Sequence, residues 1–233
     1  MKKYLMITSV VMLLLSAFLC LQCSKNETGD GNVLWNTSFS DDFHRTGSSS
    51  LGSNYSVQVG GVGANGTASV VDDKLSFGGK GFWAIRCAST VSGDKVRASV
   101  TCKVTNGRPQ FGIVVKSRDL GSDWMSQEFY GVFADSSGFT IYKCEGATPY
   151  STPYELISKS FNIQNNRVYK LQIAANNKKI NAFIEDIVAG TKDSLQFTDS
   201  GTMPVGNIVS LNGNNNSSTD SLLFDDFIIE KGE

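Results

Sequence analysis

The chain holds one histidine, four prolines and five cysteines in 233 residues, and its 21 Lys and Arg nearly balance 22 Asp and Glu. Each scarcity excludes a class of function. With His44 alone, neither a serine or cysteine triad nor a histidine-rich zinc centre can be assembled. Two of the cysteines, Cys20 and Cys23, fall just after the N-terminal apolar run, which leaves Cys87, Cys102 and Cys144. Three is an odd number without C-x-x-C spacing, so neither a disulfide framework nor a structural zinc site is indicated. The charge balance carries no basic stripe for nucleic acid. No long window shows a 3.6-residue apolar period, which argues against helices.

What is present begins with Lys2 and Lys3, then an apolar stretch from Tyr4 to Leu19, then Cys23 followed by the polar run Ser24-Lys25-Asn26-Glu27. A charged n-region and an apolar h-region are the marks of a secretory leader. The pattern resembles a bacterial lipoprotein signal, with Cys23 as the lipid-attachment residue and Cys20 as the competing position. The resemblance implies a signal peptide at 1–22 and a lipidated cysteine with a polar tether at 23–38. It also implies a folded domain at 39–233 held at the cell envelope, with Ser24 favouring the outer membrane.

The chain has 23 glycines, nearly all in the folded part, which is rich in Ser, Thr, Asn and Val, a composition of strands and turns. In Arg97 to Val104 polar and apolar residues alternate strictly, so one face is wet and the other buried. Similar runs recur at 110–116, 127–134, 139–144, 154–161, 168–175, 180–187, 207–211 and 222–229. Asn176-Asn177-Lys178-Lys179 and Asp135-Ser136-Ser137-Gly138 supply hairpin turns between them. If 82–87 and 97–104 form a hairpin through Gly93-Asp94, Cys87 and Cys102 stand opposite each other. Opposed strand residues lie about 4.5 to 5.5 Å apart, within reach of a disulfide. The alternative is three buried thiols.

Four groups of residues in order carry a family resemblance: Asp41-Asp42-Phe43-His44-Arg45 with Leu51-Gly52-Ser53-Asn54-Tyr55; Gly112 to Asp119 with Phe129 to Phe133; Asn166 to Ile173 with Ile180 to Ile184; and Phe224-Asp225-Asp226-Phe227. Together they resemble the laminin-G-like bacterial form of the concanavalin A-like jelly roll over about residues 39 to 230. The resemblance implies an all-β, two-sheet antiparallel sandwich whose first and last strands lie side by side. That fold serves lectins, carbohydrate-binding modules, adhesins and glycosidases, so the site must decide.

A glycosidase needs two carboxylates about 5 to 9 Å apart. Glu185-Asp186 point to opposite faces of a strand, and Glu128, Glu145 and Glu155 are isolated in sequence. Asp41-Asp42 and Asp225-Asp226 could meet at a cation, but the simpler reading is solvent-facing strand residues; no metal or cofactor is expected. Sugar binding needs aromatic platforms with polar neighbours. Trp83, Trp124, Tyr130 and Tyr142 are the expected ligand-binding rings, with Tyr130 placed beside Glu128 and Tyr142 beside Thr140. Phe129, Phe133, Phe139 and Ile141 are expected on the core side. The sequence thus reads as a non-catalytic glycan-binding or adhesion module. The alternatives are a protein-binding surface adhesin and, third, a divergent glycosidase.

Overall fold

The computed structural model describes residues 33–45, 50–61, 63–119, 127–145 and 153–233. Fifteen strands and no helix occur among them. In chain order they are β1 (Trp35–Asp41), β2 (Tyr55–Gly60), β3 (Thr67–Val71), β4 (Lys74–Gly78), β5 (Gly81–Cys87), β6 (Lys95–Asn106), β7 (Gln110–Asp119) and β8 (Gln127–Asp135). There follow β9 (Gly138–Glu145), β10 (Tyr154–Lys159), β11 (Val168–Asn176), β12 (Lys179–Asp186), β13 (Thr191–Thr198), β14 (Ile208–Asn215) and β15 (Ser221–Gly232). Every pairing is antiparallel.

One sheet runs β13-β12-β11-β6-β15-β4-β3, with β1 also on β15; the other runs β10-β9-β8-β7-β14-β5-β2. The first and last strands do lie side by side, from Trp35 opposite Gly232 to Asp41 opposite Phe227. β1 therefore starts four residues before the expected domain boundary, inside the stretch read as tether. Alternation is what builds the core. In β6 Val96, Ala98, Val100, Cys102 and Val104 are buried and meet Ile85, Phe111, Ile113 and Leu211 of the facing sheet in one apolar cluster. The hairpin turns follow the local chemistry: Asp72 and Asp73 between β3 and β4 both have φ near +50°, as does Asn177 between β11 and β12. Short polar side chains are the non-glycine residues that tolerate this region best.

The opening landmark has a structural reason. Asp41 accepts hydrogen bonds from the Phe43 amide at 2.7 Å, from Tyr55 Oη at 2.9 Å and from Arg45 Nη1 at 2.9 Å. Arg45 Nη2 grips its second oxygen. The carboxylate thus locks the exit of β1 to the start of β2 and seats Phe43 in the core. Asp225, at the other end of the proposed cation pairing, is engaged by Lys74. Each carboxylate is neutralised by its own cation, and among the described residues no cluster of metal-ligating side chains forms.

The disulfide expectation is corrected. β5 and β6 are not a hairpin: β5 pairs with β14 and β2 in one sheet, β6 with β11 and β15 in the other. The symmetric spacing about Gly93-Asp94 belongs to a crossover between sheets. Cys87, Cys102 and Cys144 are free and buried, and burial pushes the Cys87 and Cys102 thiols up.

Candidate functional site

The seven-stranded sheet has one face on the core and one facing away from it. On the outward face the strand register sets two rows. The first reads Gln58, Ala84, Asn212, Gly112, Phe133, Thr140 from β2 to β9. The second reads Ser56, Arg86, Ser210, Val114, Gly131, Tyr142, Glu155 from β2 to β10. At the usual strand spacing the first row is about 24 Å long. Polar amides and hydroxyls lie toward β14 and β2, and aromatic rings lie toward β8 and β9.

Phe133 and Tyr142 form the aromatic part. Their ring centroids are 5.7 Å apart and their planes meet at 82°, an edge-to-face pair of the favourable kind. Both are half-buried. Glycine makes room for them. A Cβ on Gly112 would sit 2.6 Å from the Phe133 ring and 2.3 Å from Val132 O, and one on Gly131 would sit 2.7 Å from the same ring. The ring therefore lies down across two neighbouring strands. Burial, then the Glu155 carboxylate, push the Tyr142 phenol up, so it remains a neutral hydrogen-bonding group.

The polar part is withdrawn from solvent although it faces away from the core: Ser210 is 1% exposed and Asn212 9%. Ser210 Oγ donates to Asn212 Oδ1. Gln58 Oε1 is buried without a hydrogen bond among the described residues.

The four expected rings fare differently. Tyr142 stands on this face beside Thr140, as read. Trp124 lies outside the described residues, as does Cys23. Trp83 is in the core instead, 3% exposed, stacked on Phe77 at 4.5 Å and edge-on to Phe224 at 5.6 Å. Its indole N–H reaches Asn215 Oδ1 at 3.4 Å. Tyr130 also points inward and is fully buried. The parity of β8 is thus the reverse of the expectation: Tyr130, Val132 and Ala134 fill the core, while Phe129, Gly131 and Phe133 face out. Both faces of that strand are apolar, so alternation alone could not orient it. Phe133 and Asn212 were missed; the signal available was the paired glycines 112 and 131, which mark a close approach on a strand face.

A second cluster sits at the end of the sandwich where β8 begins and β9 ends. Lys143, with its side chain 1% exposed, lies 2.7 Å from Asp199 and 3.0 Å from Glu145. Tyr130 Oη donates to Asp199 at 2.5 Å, and Tyr154 Oη to Glu145 at 2.8 Å. Lys143 and Tyr154 hold the Glu145 carboxyl below its ordinary range. Burial pushes Asp199 up, but Lys143, Tyr130 and the Gly201 amide outweigh it and hold that carboxyl down too. A glycosidase acid needs a carboxyl held protonated near neutral pH. These two are held ionised by a buried ammonium, which is the chemistry of a structural lock.

No family model matches the chain, and no curated protein matches its sequence. Solved structures do. The carbohydrate-binding module CBM66 from Bacillus subtilis superposes with a TM-score of 0.55 at 14% identity, covering 75% of this chain and 95% of that one. The CBM2 module of the evolved Dit protein of Lactobacillus casei BL23 phage J-1 gives 0.59 at 12%, covering 86% and 97%. Winged bean acidic lectin, complexed with methyl-α-D-galactose, gives 0.59 at 11%, covering 86% and 100%. The likeness is one of fold, and the fold is the two-sheet antiparallel jelly roll of the concanavalin A-like type.

Proposed function

We propose that this protein is a non-catalytic carbohydrate-binding module, presented at the bacterial cell envelope by a lipid on Cys23, that takes its glycan across the outward face of the seven-stranded sheet. The observation that carries the reading is the Phe133–Tyr142 pair. Two half-exposed rings lie beside Thr140 and at the end of a run of buried amides and hydroxyls, and a pyranose presents the same division into an apolar C–H face and an equatorial ring of hydroxyls. The similar solved structures include carbohydrate-binding modules and a sugar-complexed lectin, which is consistent with that use of the fold.

The test is a broad glycan array probed with the detergent-solubilised full chain, with and without calcium. A specific hit lost in both Phe133→Ala and Tyr142→Ala supports the reading. A blank array under both conditions moves the balance to a protein-binding adhesin. The anchor is tested separately: metabolic labelling with palmitate and membrane fractionation should both be lost in Cys23→Ser. The leader supports outer-membrane placement through Ser24, and density-gradient separation of the two membranes tests it.

A further inference from the structure

At the end of the sandwich opposite the Lys143 cluster, three segments enclose a cleft of about 420 Å³. They are the β6–β7 turn with Gly107, Arg108 and Pro109, the β8–β9 turn with Ser136, and the segment Ile163-Gln164-Asn165 that precedes β11, with Val104 between them. The volume lies in the range of small-molecule sites.

The walls are fixed by bonds that do not involve the lining side chains. Val104 O accepts from the Asn166 amide at 2.7 Å, Asn106 Nδ2 donates to Thr219 O at 2.9 Å, and the Gln164 amide donates to Tyr169 Oη at 2.7 Å. Gly107, at φ +81°, packs so closely on Asp220 that a Cβ would fall 1.8 Å from its Oδ1. Pro109 restricts the backbone of Arg108 to extended conformations. By contrast, the side chains of Arg108, Ser136, Gln164 and Asn165 make no hydrogen bond or ion pair among the described residues. The backbone of the cleft is held in place, and it presents one guanidinium and three neutral polar side chains, all solvent-exposed and able to turn toward a ligand.

From this arrangement we infer that the cleft binds the uronic-acid unit of an acidic saccharide, at a site separate from the outward sheet face. Arg108 takes the carboxylate in its planar fork. Gln164, Asn165 and Ser136 exchange hydrogen bonds with the hydroxyls, and the half-buried Ile163 packs on the C–H face of the ring. The charge count selects the class: one cation beside three neutral groups fits a ligand with one negative charge and several hydroxyls, whereas a phosphate site would gather more than one cation.

Ligand-observed NMR on the full chain in detergent, with D-glucuronate, D-glucose and acetate as probes, tests this. Glucuronate should bind wild type about tenfold more tightly than glucose or acetate. Arg108→Gln should weaken glucuronate about tenfold with an unchanged melting temperature, since Arg108 holds no internal partner. Asn165→Ala should weaken glucuronate and glucose alike, and Tyr142→Ala should change neither. Absence of glucuronate binding, undiminished binding to Arg108→Gln, or acetate bound as tightly as glucuronate would each overturn the assignment. Because Tyr142 and Arg108 are read out independently, failure of this site leaves the sheet-face reading standing, and the reverse.

Discussion

Individual residues carry two kinds of commitment in this protein. Lys143 and Asp199 are both buried, and breaking such a pair leaves an uncompensated charge, at a cost of about 3 kcal/mol. Asp199→Asn should show that loss in urea unfolding at pH 7. The pH dependence has a definite sign. The Asp199 carboxyl is held below its ordinary value, so its contribution is full above the ordinary carboxylate range near pH 4 and is lost as pH falls through the lower folded value. For Lys143 burial alone would lower the ammonium's value, yet Asp199 and Glu145 raise it on balance. Its contribution is therefore full below the ordinary amine range and is lost as pH rises past it. Wild type should lose stability between pH 5 and pH 2 more steeply than Asp199→Asn; parallel slopes would show that the pair does not act this way. Trp83 is the second case. Its ring is core, so Trp83→Ala should cost about 3 to 5 kcal/mol through the cavity it leaves, measurable as a lowered denaturant midpoint.

At the scale of elements, the sequence was most legible where one face is polar. The register of β6, β11, β12 and β9, and the hairpins through Asn177 and Asp135, follow from alternation and turn chemistry. β8 was legible as a strand but not as an orientation, because Phe129, Gly131 and Phe133 are as apolar as Tyr130, Val132 and Ala134. What orients it is Asp199, 69 residues from Tyr130 in the chain, a long-range contact that periodicity does not contain. The β3–β4 hairpin escaped for another reason: its strands are five residues each, too short for a pattern, although Asp72-Asp73 carried the turn signal. Replacing that pair with Asn-Gly, which suits positive φ at both positions, should raise stability by up to about 1 kcal/mol in thermal unfolding; a loss would mean that the Asp73 contact with the Arg45 amide outweighs the gain at the turn.

For the whole molecule, the first and last strands, β1 and β15, pair in one sheet, and among the described residues eight strands face seven across the core. This pairing was legible from the ordered landmarks, each weak alone. The outward face was only half legible: Tyr142 stands on it as its strand pattern implies, while Trp83 illustrates how a large ring serves as well under a sheet as upon it. Crossing of the chain between sheets after β5 also separates Cys87 from Cys102. Alkylation before and after unfolding, without reductant, should find both thiols free and protected in the folded state; a peptide joined through the two would contradict the topology.

We propose that glycan binding belongs to the outward face of the seven-stranded sheet. Its most direct test is the affinity of the strongest array glycan for wild type, Tyr142→Ala and Trp83→Phe, measured by titration calorimetry. Loss of about tenfold or more in Tyr142→Ala, with Trp83→Phe unchanged, is the expected result. Equal affinity in wild type and Tyr142→Ala, or loss confined to Trp83→Phe, would contradict it.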